Sequence, residues 1–264
     1  MTMALRAAEN TSLIHPFDEQ ASVPAHTRVP YGLPIVDNCS SCKLRRSNYF
    51  CSFSGPVTKA FEAIKHTSSY PKGAVIFTEG QAARGVYILC QGRAKVSITS
   101  AEGRTLILRI AEPGDILGLH SCVTGNPHEV TIETLQPAQL AFVARADMLS
   151  FMSNYGEACL RAAEHLSRSC QSAFEVLRSI GLSYSVPQKL ARLLLHWAAA
   201  GSAGSNGLVR VHQSLTHEEI AELIGSTRET VTRTLGEFRK KHAIEINGAS
   251  LLLNAKALTI LAGA

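Results

Sequence analysis

Three cysteines lie close together near the start of this 264-residue chain, at Cys39, Cys42 and Cys51. Their thiolates are soft ligands that suit iron–sulfur clusters or zinc and that also take part in redox chemistry. The chain holds seven cysteines, an odd number, and its first residues lack the apolar run of an export signal, which argues against a disulfide framework. The spacing C-x2-C-x8-C therefore predicts a metal or redox site, and the alternative is three reduced cysteines in a mobile arm.

A second group of informative residues lies near the C-terminus. Residues 216–224 (THEEIAELI) begin with a threonine and carry a glutamate three positions on, which is the capping-box arrangement of a helix start. Gly225 ends that helix, and Ser226 or Thr227 caps a second one, RETVTRTLGEFRKKH. Two short helices joined by a glycine turn are typical of a helix-turn-helix. An Asn-Gly pair between two short strands follows in AIEINGASLLLN, so the motif is predicted to be winged.

The second of these helices carries residues that suit DNA. Arginine can pair bidentately with guanine and glutamate can accept a hydrogen bond from cytosine, whereas basic residues further along suit phosphates. An exposed face of this kind can also be a merely solvated helix surface, so the spacing alone leaves both interpretations open. The predicted DNA-binding set is Arg228, Glu229, Thr232 and Arg233 on one face, Ser226 and Thr227 at the helix start, and Arg239 and Lys240 at its end.

The elements that must position these sites have different periodicities. From Pro71 to about Val143, short β-rich runs alternate with turn glycines, which predicts an antiparallel barrel or jelly roll. Further along, small and apolar residues recur at alternating spacings of four and three, the heptad pattern of a coiled coil. They are Cys159, Ala163, Leu166, Cys170, Ala173, Leu177 and Ile180. This favours a parallel homodimer, and the alternative is an amphipathic helix packed only on its own barrel.

The fold class expected is α+β, in four segments. These are a flexible arm with the cysteines (1–55), a sensory barrel (56–145), a dimerisation helix (146–182) and a winged helix-turn-helix domain (183–264). The net charge of +5 permits nucleic acid as a partner. No apolar stretch is long enough for a membrane span, so we expect a cytoplasmic protein with no membrane partner.

These motifs resemble the CRP/FNR family of bacterial transcription regulators. The stretch IGSTRETVTRTLGEFRKK resembles the family's recognition helix, and KGAVIFTEG, VYILCQGRAKV and PGDILG resemble its cyclic-nucleotide-binding-type barrel, so the likeness covers roughly residues 56–255. It implies a dimeric regulator that binds double-stranded DNA at an inverted repeat and works with RNA polymerase, not an enzyme. By this resemblance Arg228, Glu229 and Arg233 read base edges, and Thr232 takes the place of a residue that contacts bases in some members.

A competing class is a jelly-roll enzyme of the cupin type, whose metal site needs clustered histidines. His120 and His128 are eight residues apart and no His-x-His pattern occurs, which disfavours this class. A cyclic-nucleotide-regulated scaffold without DNA binding is a third class, which the arginines of the second helix disfavour.

The resemblance also bears on the signal. The three N-terminal cysteines resemble the cluster of oxygen-sensing FNR-type members, which hold a [4Fe–4S] cluster with a fourth cysteine from the barrel. This sequence departs from that pattern in a longer second gap and in Ala138 at the barrel position concerned. Cys122, which we include in the predicted ligand set, and Cys90 are the possible substitutes. A zinc site of three cysteines with His66 is the rival.

Cyclic AMP is not expected as the effector. Members that bind it hold the phosphate with an Arg-Ser pair after the PGD turn, and the matching place here carries His128 and Glu129. A carboxylate at that position would repel a phosphate, and the guanidinium fork is missing.

Overall fold

The structure is a computed structural model that describes residues 30–33, 38–42, 46–47, 49–181, 185–203, 208–212, 215–247 and 250–263. Of the predicted flexible arm (1–55), the first 37 residues lie outside the described residues apart from 30–33. The predicted domain border near residue 182 also lies outside them.

The first domain is a double-layered antiparallel β-structure, which confirms the predicted barrel or jelly roll. One four-stranded sheet has the order β1-β8-β3-β6 and the other has the order β2-β7-β4-β5. Short strands with turn glycines between them allow this folding back, because glycine accepts the positive φ that tight turns require. The strands are β1 (Lys65–Tyr70), β2 (Val75–Phe77), β3 (Gly85–Gln91), β4 (Ala94–Thr99), β5 (Thr105–Ala111), β6 (Ile116–Leu117), β7 (Thr131–Thr134) and β8 (Ala138–Ala144).

Two apolar cores flank the first sheet. The core between the sheets contains Phe77, Leu89 and Leu140. The outer core lies between the first sheet and the helices α1 (Gly55–Ile64), α2 (Leu119–Thr124) and α3 (Arg145–Asn154). Phe50 and Phe53 are buried in it and pack edge to face at 5.3 Å. Residues 49–55, assigned to a flexible arm from the sequence, are therefore part of the packed domain.

Helix α4 (Gly156–Gly181) presents two different faces. One face buries Ala158, Ala162 and His165 against the barrel. On the other face, large apolar side chains are exposed in the single chain, namely Leu160 (61%), Phe174 (60%) and Leu177 (65%). Within the described part of the chain, no helix is both long and apolar enough to cross a membrane.

The exposed face of α4 follows a heptad whose residues differ in part from those of the seam predicted from sequence. Leu166, predicted to lie in the seam, is half-buried and packs against the outer core of the barrel. The side chain of Ile180 lies outside the described residues. The exposed face instead follows the positions Leu160, Ala163, Ser167, Cys170, Phe174 and Leu177, at alternating spacings of three and four. It shares Ala163, Cys170 and Leu177 with the predicted seam.

The second domain is the predicted winged helix-turn-helix. Its sheet has the order β11-β12-β10-β9, and one core joins the sheet to all four helices. The turn between β11 and β12, which the Asn-Gly pair predicts, lies outside the described residues, but Asn247 pairs with Ser250 on either side of it. The elements are α5 (Val186–Ala200), β9 (Ser202–Ala203), β10 (Val209–His212), α6 (His217–Ile224), α7 (Arg228–Lys240), β11 (Ile244–Asn247), β12 (Ser250–Leu253) and α8 (Ala255–Leu261).

The two domains share part of a core. Leu135 of the barrel is buried in the apolar cluster of the second domain, and Ile110 of β5 packs against that cluster. The turn of the helix-turn-helix also lies against the barrel, because a Cβ added to Gly225 would be 3.9 Å from the side chain of Leu106.

Candidate DNA-contacting helix and cysteine site

The local sequence fixes the angle between α6 and α7. At the start of α6, Glu219 accepts a hydrogen bond of 2.6 Å from the backbone N–H of Thr216, and the Thr216 hydroxyl accepts one of 3.2 Å from Glu219 N–H. This reciprocal capping satisfies donors that the first turn leaves unpaired. At the end of α6, Gly225 has φ +64°, a left-handed conformation that ends the helix and turns the chain towards α7.

Helix α7 packs one face inwards and leaves the other exposed. Val231, Leu235 and Phe238 are buried in the core of the domain. Arg228, Glu229, Thr232 and Arg233 are all exposed, as predicted from their spacing. With 100° of rotation per residue, Glu229 and Arg233 lie directly opposite the buried face, and Arg228 lies at its flank in the first turn. We call the exposed surface formed by Arg228, Glu229 and Arg233 the reading face.

Thr232 is engaged within the protein, which separates it from the reading face. Its hydroxyl donates to the Arg228 carbonyl at 2.9 Å and lies 2.9 Å from Nδ1 of His217 on α6. A hydroxyl held in this way links the two helices and supports the orientation of α7. His217, whose role the sequence did not indicate, is therefore part of the site's framework.

The ends of α7 carry the remaining predicted DNA contacts. Thr227 is the N-cap, and its hydroxyl accepts a hydrogen bond of 3.3 Å from Thr230 N–H. The backbone N–H of Ser226 donates to Ala221 O at 2.9 Å, which completes the turn. Arg239 and Lys240 lie in the last turn and are exposed.

The structure brings a fourth cysteine to the N-terminal three. Cys90 lies on β3 at a register irregularity between Leu89 and Gln91, and it packs against the outer core together with Cys39 and Cys51. Burial, followed by the neighbouring thiols of Cys51 and Cys39, raises the pKa of the Cys90 thiol to about 12. We call Cys39, Cys42, Cys51 and Cys90 the cysteine site.

Lys65 and Cys42 also act on Cys90. The positive charge of Lys65 lowers the pKa of the Cys90 thiol, and Cys42 raises it. All three N-terminal cysteines are thus within electrostatic reach of Cys90. Lys65 is a cation beside the cysteine site that sequence spacing did not reveal.

Backbone contacts hold Cys51 and Cys90 side by side. Gly114 accepts a hydrogen bond of 3.0 Å from the N–H of Phe50 and donates one of 2.7 Å to the carbonyl of Leu89. It therefore joins the residue before Cys51 to the residue before Cys90. Gly114 has φ +94°, and a Cβ at this position would collide with the ring of Tyr49, so only glycine fits.

The first two cysteines are tied to α1. Both the N–H and the hydroxyl of Ser40 donate to the carboxylate of Glu62 at 2.8 Å, and Cys42 N–H donates to Cys39 O at 3.3 Å. The backbone hydrogen bond from Ser40 lowers the pKa of Glu62, so the carboxylate stays ionised and keeps this anchor.

The segment that follows Cys51 is bonded to the start of α4. The carboxylate of Glu157 accepts hydrogen bonds from Ser54 N–H at 3.0 Å and from the Ser54 hydroxyl at 2.9 Å. Arg161 donates to the carbonyl of Ser52 at 3.4 Å. The cysteine site and the helix with the exposed apolar face are thus joined by direct contacts.

Cys122, which belongs to the ligand set predicted from sequence, lies on α2 in the apolar cluster that Cys39, Cys51 and Cys90 also pack against. It is fully buried in α2, and its carbonyl accepts a hydrogen bond of 2.8 Å from Arg145. Burial raises the pKa of its thiol, and the charged group that acts on it is Arg145 rather than another cysteine. Ala138 lies in the core between the sheets, whereas Cys90 faces the outer core.

The site does not have the geometry of a single-ion centre. Among the described residues, no three His, Cys, Asp or Glu side chains converge closely enough to hold one metal ion. His66, the proposed zinc ligand, is exposed on β1. Cysteine thiols are the usual ligands of iron–sulfur clusters, so the side chains of the cysteine site have the chemistry that such a cluster requires.

The barrel position expected to hold a cyclic phosphate has no cation. His128 is 4% exposed and stacks on Phe77 with ring centroids 3.7 Å apart. Burial lowers the pKa of His128, so its ring is neutral near pH 7. The Glu129 carboxylate lies 3.6 Å from Nδ1 of His120 at the surface. This position therefore holds the neutral, buried ring of His128 next to the anionic side chain of Glu129.

Comparison with protein families and curated proteins gives the following matches. Residues 67–155 match the cyclic nucleotide-binding domain, and residues 188–260 match the Crp-like helix-turn-helix domain. The chain is 28% identical over 185 residues to a CRP-like cAMP-activated global transcriptional regulator of Mycobacterium tuberculosis, which covers 70% of this chain and 82% of the relative. It is 26% identical over 227 residues to the nitrogen fixation regulation protein FixK of Bradyrhizobium diazoefficiens, which covers 86% and 94%.

The fold is also similar to solved structures. FixK2 from Bradyrhizobium japonicum superposes with a TM-score of 0.66 at 21% sequence identity, over 76% of this chain and 98% of that chain.

Proposed function

Because the chain belongs to the CRP/FNR family of bacterial transcription regulators, we propose that it is a homodimer that binds an inverted-repeat DNA site under the control of its cysteine site. The matched relatives are transcription regulators, so the chain is proposed to act by binding rather than by catalysis. The observation that carries the proposal is the reading face, which α6 and the core of the domain support from behind.

The reading face suits G·C base pairs. Glu229 and Arg233 are four residues apart, about one helical turn, and both project away from the core. The guanidinium of Arg233 can bond bidentately to a guanine, and Glu229 can accept from the amino group of a cytosine. Arg228 would extend the contact to a neighbouring pair. Each half-site is therefore proposed to contain G·C pairs, with the two half-sites about one turn of DNA apart.

The two ends of α7 would position the helix on the DNA backbone. Arg239 and Lys240 offer positive charge at one end, and the turn of Ser226 and Thr227 lies at the other, where a helix N-terminus favours phosphate. Such contacts raise affinity for every sequence alike. Thr232 is assigned to the support of α7, because its hydroxyl already bonds within the protein.

The exposed face of α4 is proposed as the dimer interface. Leu160, Phe174 and Leu177 leave more than half of their surfaces exposed in the single chain, and they recur with heptad spacing. A two-fold axis along this face would bury them against the same residues of the partner. It would also place two reading faces on one side of the dimer, as an inverted repeat requires.

The cysteine site is proposed to hold a [4Fe–4S] cluster through Cys39, Cys42, Cys51 and Cys90. Cysteine thiolates are the usual ligands of such clusters. The proposal is supported by the packing of Cys39, Cys51 and Cys90 against the outer core and by the electrostatic effect of Cys42 on Cys90. When bound, the cluster supplies an oxygen- and redox-sensitive group. Lys65 would offset part of the negative charge of four thiolates.

The contacts between residues 52–54 and α4 suggest how the cysteine site reaches the dimer interface. A shift of Cys51 would displace Ser52 and Ser54, which bond to Arg161 and Glu157 in the first turns of α4. Those turns lead directly into the exposed apolar face. A change at the cysteine site can thereby alter how two α4 helices pack, and with it the spacing of the reading faces.

A regulator of this kind is proposed to work in the cytoplasm, where its DNA site and RNA polymerase are present. The alternative is an effector-independent or small-molecule-responsive regulator with no cluster, or one with structural zinc. The packing of His128 against Phe77 disfavours cyclic AMP in the barrel.

Anaerobic purification with iron and sulfide analysis tests the cysteine site. The wild type should contain about four iron and four sulfide per chain, and Cys90→Ala should lose them. Cys122→Ala is the matched control, because the charged group that acts on Cys122 is Arg145 and not another cysteine, and it should retain the iron. Gel shifts before and after exposure to air should show a change in DNA affinity for wild type and Cys122→Ala only.

Three results would contradict this assignment. Iron retained by Cys90→Ala but lost by Cys122→Ala would restore the ligand set predicted from sequence. Stoichiometric zinc would favour the structural-zinc alternative. Iron-free protein with full DNA affinity, insensitive to air, would favour a regulator without a cluster.

A further inference from the structure

A large cavity lies between the two domains, outside both sites described above. Its volume is about 1290 Å³, and its walls come from β5 of the barrel, the C-terminal half of α4, helices α5 and α6, and strand β10. We call it the interdomain cavity. No residue of α7 lines it, so it is separate from the surface proposed to read DNA.

The wall of the interdomain cavity is strongly cationic. Six arginine and lysine side chains line it, against two glutamates. Some of this charge is neutralised within the barrel, where Arg93 pairs with Glu112 at 3.1 Å and Arg109 pairs with Asp115.

The remaining positive charge exceeds the remaining negative charge, since Arg178, Lys189, Arg192 and Arg210 stand against the single acid Glu175. Arg178, Lys189 and Arg210 come from α4, α5 and β10, and within the described part of the chain none of them has an ion-pair partner. Like charges that line one cavity in excess of their counter-charges repel one another and raise the local potential. An anion placed among them would relieve this repulsion.

The cavity also has an apolar side. Leu108 and Ile110 of β5 face it from the barrel, and Leu193 and Trp197 face it from α5. Trp197 is half-buried against the core of the second domain, which leaves part of its ring available. A planar, weakly polar group would bury apolar surface here, and an indole ring favours offset stacking.

We propose that the interdomain cavity binds a nucleoside diphosphate, with its phosphates among Arg178, Lys189 and Arg210 and its base on the side of Trp197. An inorganic anion alone would leave most of the volume and the apolar wall unused. A ligand-sized site of this class combines apolar walls with a few converging polar groups.

Binding at this place would connect the ligand to DNA affinity. The cavity is bounded by both domains, so a ligand in it contacts the barrel and the helix-turn-helix domain together. It would stabilise the arrangement of the domains in which both walls are present. The ligand then raises DNA affinity if DNA binds this arrangement of the domains more tightly than another, and it lowers DNA affinity in the opposite case.

The experiment uses the full chain and the fluorescence of Trp197, which is the chain's one tryptophan and lies in the cavity wall. ADP and GDP are the probes, and adenosine and inorganic pyrophosphate are the comparisons, with calorimetry as the second readout. A saturable change at micromolar nucleoside diphosphate, with weaker binding of adenosine and of pyrophosphate, is the expected result.

The charge-reversal variant Lys189→Glu/Arg210→Glu should weaken the binding of ADP and GDP by at least roughly tenfold, because two attractive charges become repulsive. Arg104→Glu is the matched control, since Arg104 is exposed in the β4–β5 turn and does not line the cavity. Circular dichroism and a gel shift without nucleotide verify that both variants fold and bind DNA, which keeps this test separate from that of the DNA-reading helix.

Two outcomes would overturn the proposal. One is the lack of any saturable response to ADP or GDP up to millimolar concentration. The other is binding that the double variant leaves unchanged, or that pyrophosphate alone matches, because the proposed cations or the proposed base contact would then play no part.

Discussion

The exposed face of α4 gives a prediction that separates two registers of the dimer seam. Phe174 belongs to the exposed face that we propose as the dimer interface, and it is 60% exposed in the single chain. The heptad read from sequence places Leu166 in the seam instead, and the structure packs Leu166 against the barrel's outer core. Phe174→Ala should therefore weaken the dimer, whereas Leu166→Ala should weaken the barrel.

The expected size follows from the exposed area. Complete burial of a large apolar side chain stabilises by about 1.5–3 kcal/mol, so burial of the exposed part of Phe174 contributes about 1–2 kcal/mol per subunit. A two-fold dimer carries the substitution in both subunits, so the loss of stability is about 2–4 kcal/mol per dimer. The dimer dissociation constant should therefore rise by roughly 30- to 1000-fold.

Sedimentation equilibrium over a dilution series measures that constant for wild type and both variants, and thermal unfolding measures the stability of each chain. Leu166→Ala should lower the free energy of unfolding by about 1–3 kcal/mol while the dissociation constant changes little. If Leu166→Ala dissociates the dimer and Phe174→Ala does not, the register read from sequence is the right one. If neither variant changes dimerisation, α4 is not the interface.

Three further predictions concern DNA reading, the barrel and pH. In a binding-site selection, Arg233→Ala should lose about 1–3 kcal/mol of preference at its own base pair, whereas Lys240→Ala should weaken all sequences alike and lower the salt slope by about one unit. Cyclic AMP should give no heat in calorimetry with the Lys189→Glu/Arg210→Glu variant, because the barrel offers Glu129 where a phosphate would need a cation. Burial lowers the pKa of His165 from 6.5 to about 4, so the unfolded chain binds a proton that the native chain refuses, and the free energy of unfolding should fall as pH drops from 6.5 towards 4. His165→Gln should show a flatter pH profile.

Each of these has an outcome that contradicts it. A selected motif that Arg233→Ala leaves unchanged and Lys240→Ala alters would reverse the assignment of reader and anchor. Micromolar binding of cyclic AMP by the cavity variant would mean that the barrel has a phosphate site elsewhere. An unfolding profile with the same slope in His165→Gln and wild type would assign the acid sensitivity to other groups.

The helix-turn-helix was predictable because its signals are local. The capping pair Thr216 and Glu219 lies within one turn, and Gly225 adopts the left-handed conformation that its position suggests. The exposed face of α7 follows from helical periodicity alone. The engagement of Thr232 with His217, fifteen residues away, depends on the angle between two helices and could not be read from spacing.

The sequence offered both Cys122 and Cys90 as a possible fourth member of the cysteine site and could not choose between them. Cys90 and Cys51 are brought together by Gly114, which bonds to the residue before each of them. This contact joins the segment before Cys51, the irregularity of β3 at Cys90 and the turn at Gly114. No periodicity in the sequence predicts a contact of this kind. Cys90 and Cys122 are both cysteines of the barrel domain, and what distinguishes them in the folded chain is that the N-terminal thiols act on Cys90, whereas Arg145 acts on Cys122.

The rotation of α4 about its axis is a second feature that the sequence leaves ambiguous, and it decides which side chains are available to a partner helix. Ala163, Cys170 and Leu177 fit both heptads, so the sequence alone cannot say which neighbours accompany them. The barrel determines the rotation of α4, because Ala158, Ala162 and His165 are buried on the face that packs against it and Leu166 packs there with them. Two hydrogen bonds, from the Ser54 hydroxyl to Glu157 and from Arg161 to the Ser52 carbonyl, hold the helix at that rotation. If those bonds change with the state of the cysteine site, a modest rotation about the helix axis would exchange one heptad for the other, which gives the dimer two alternative seams along the same helix.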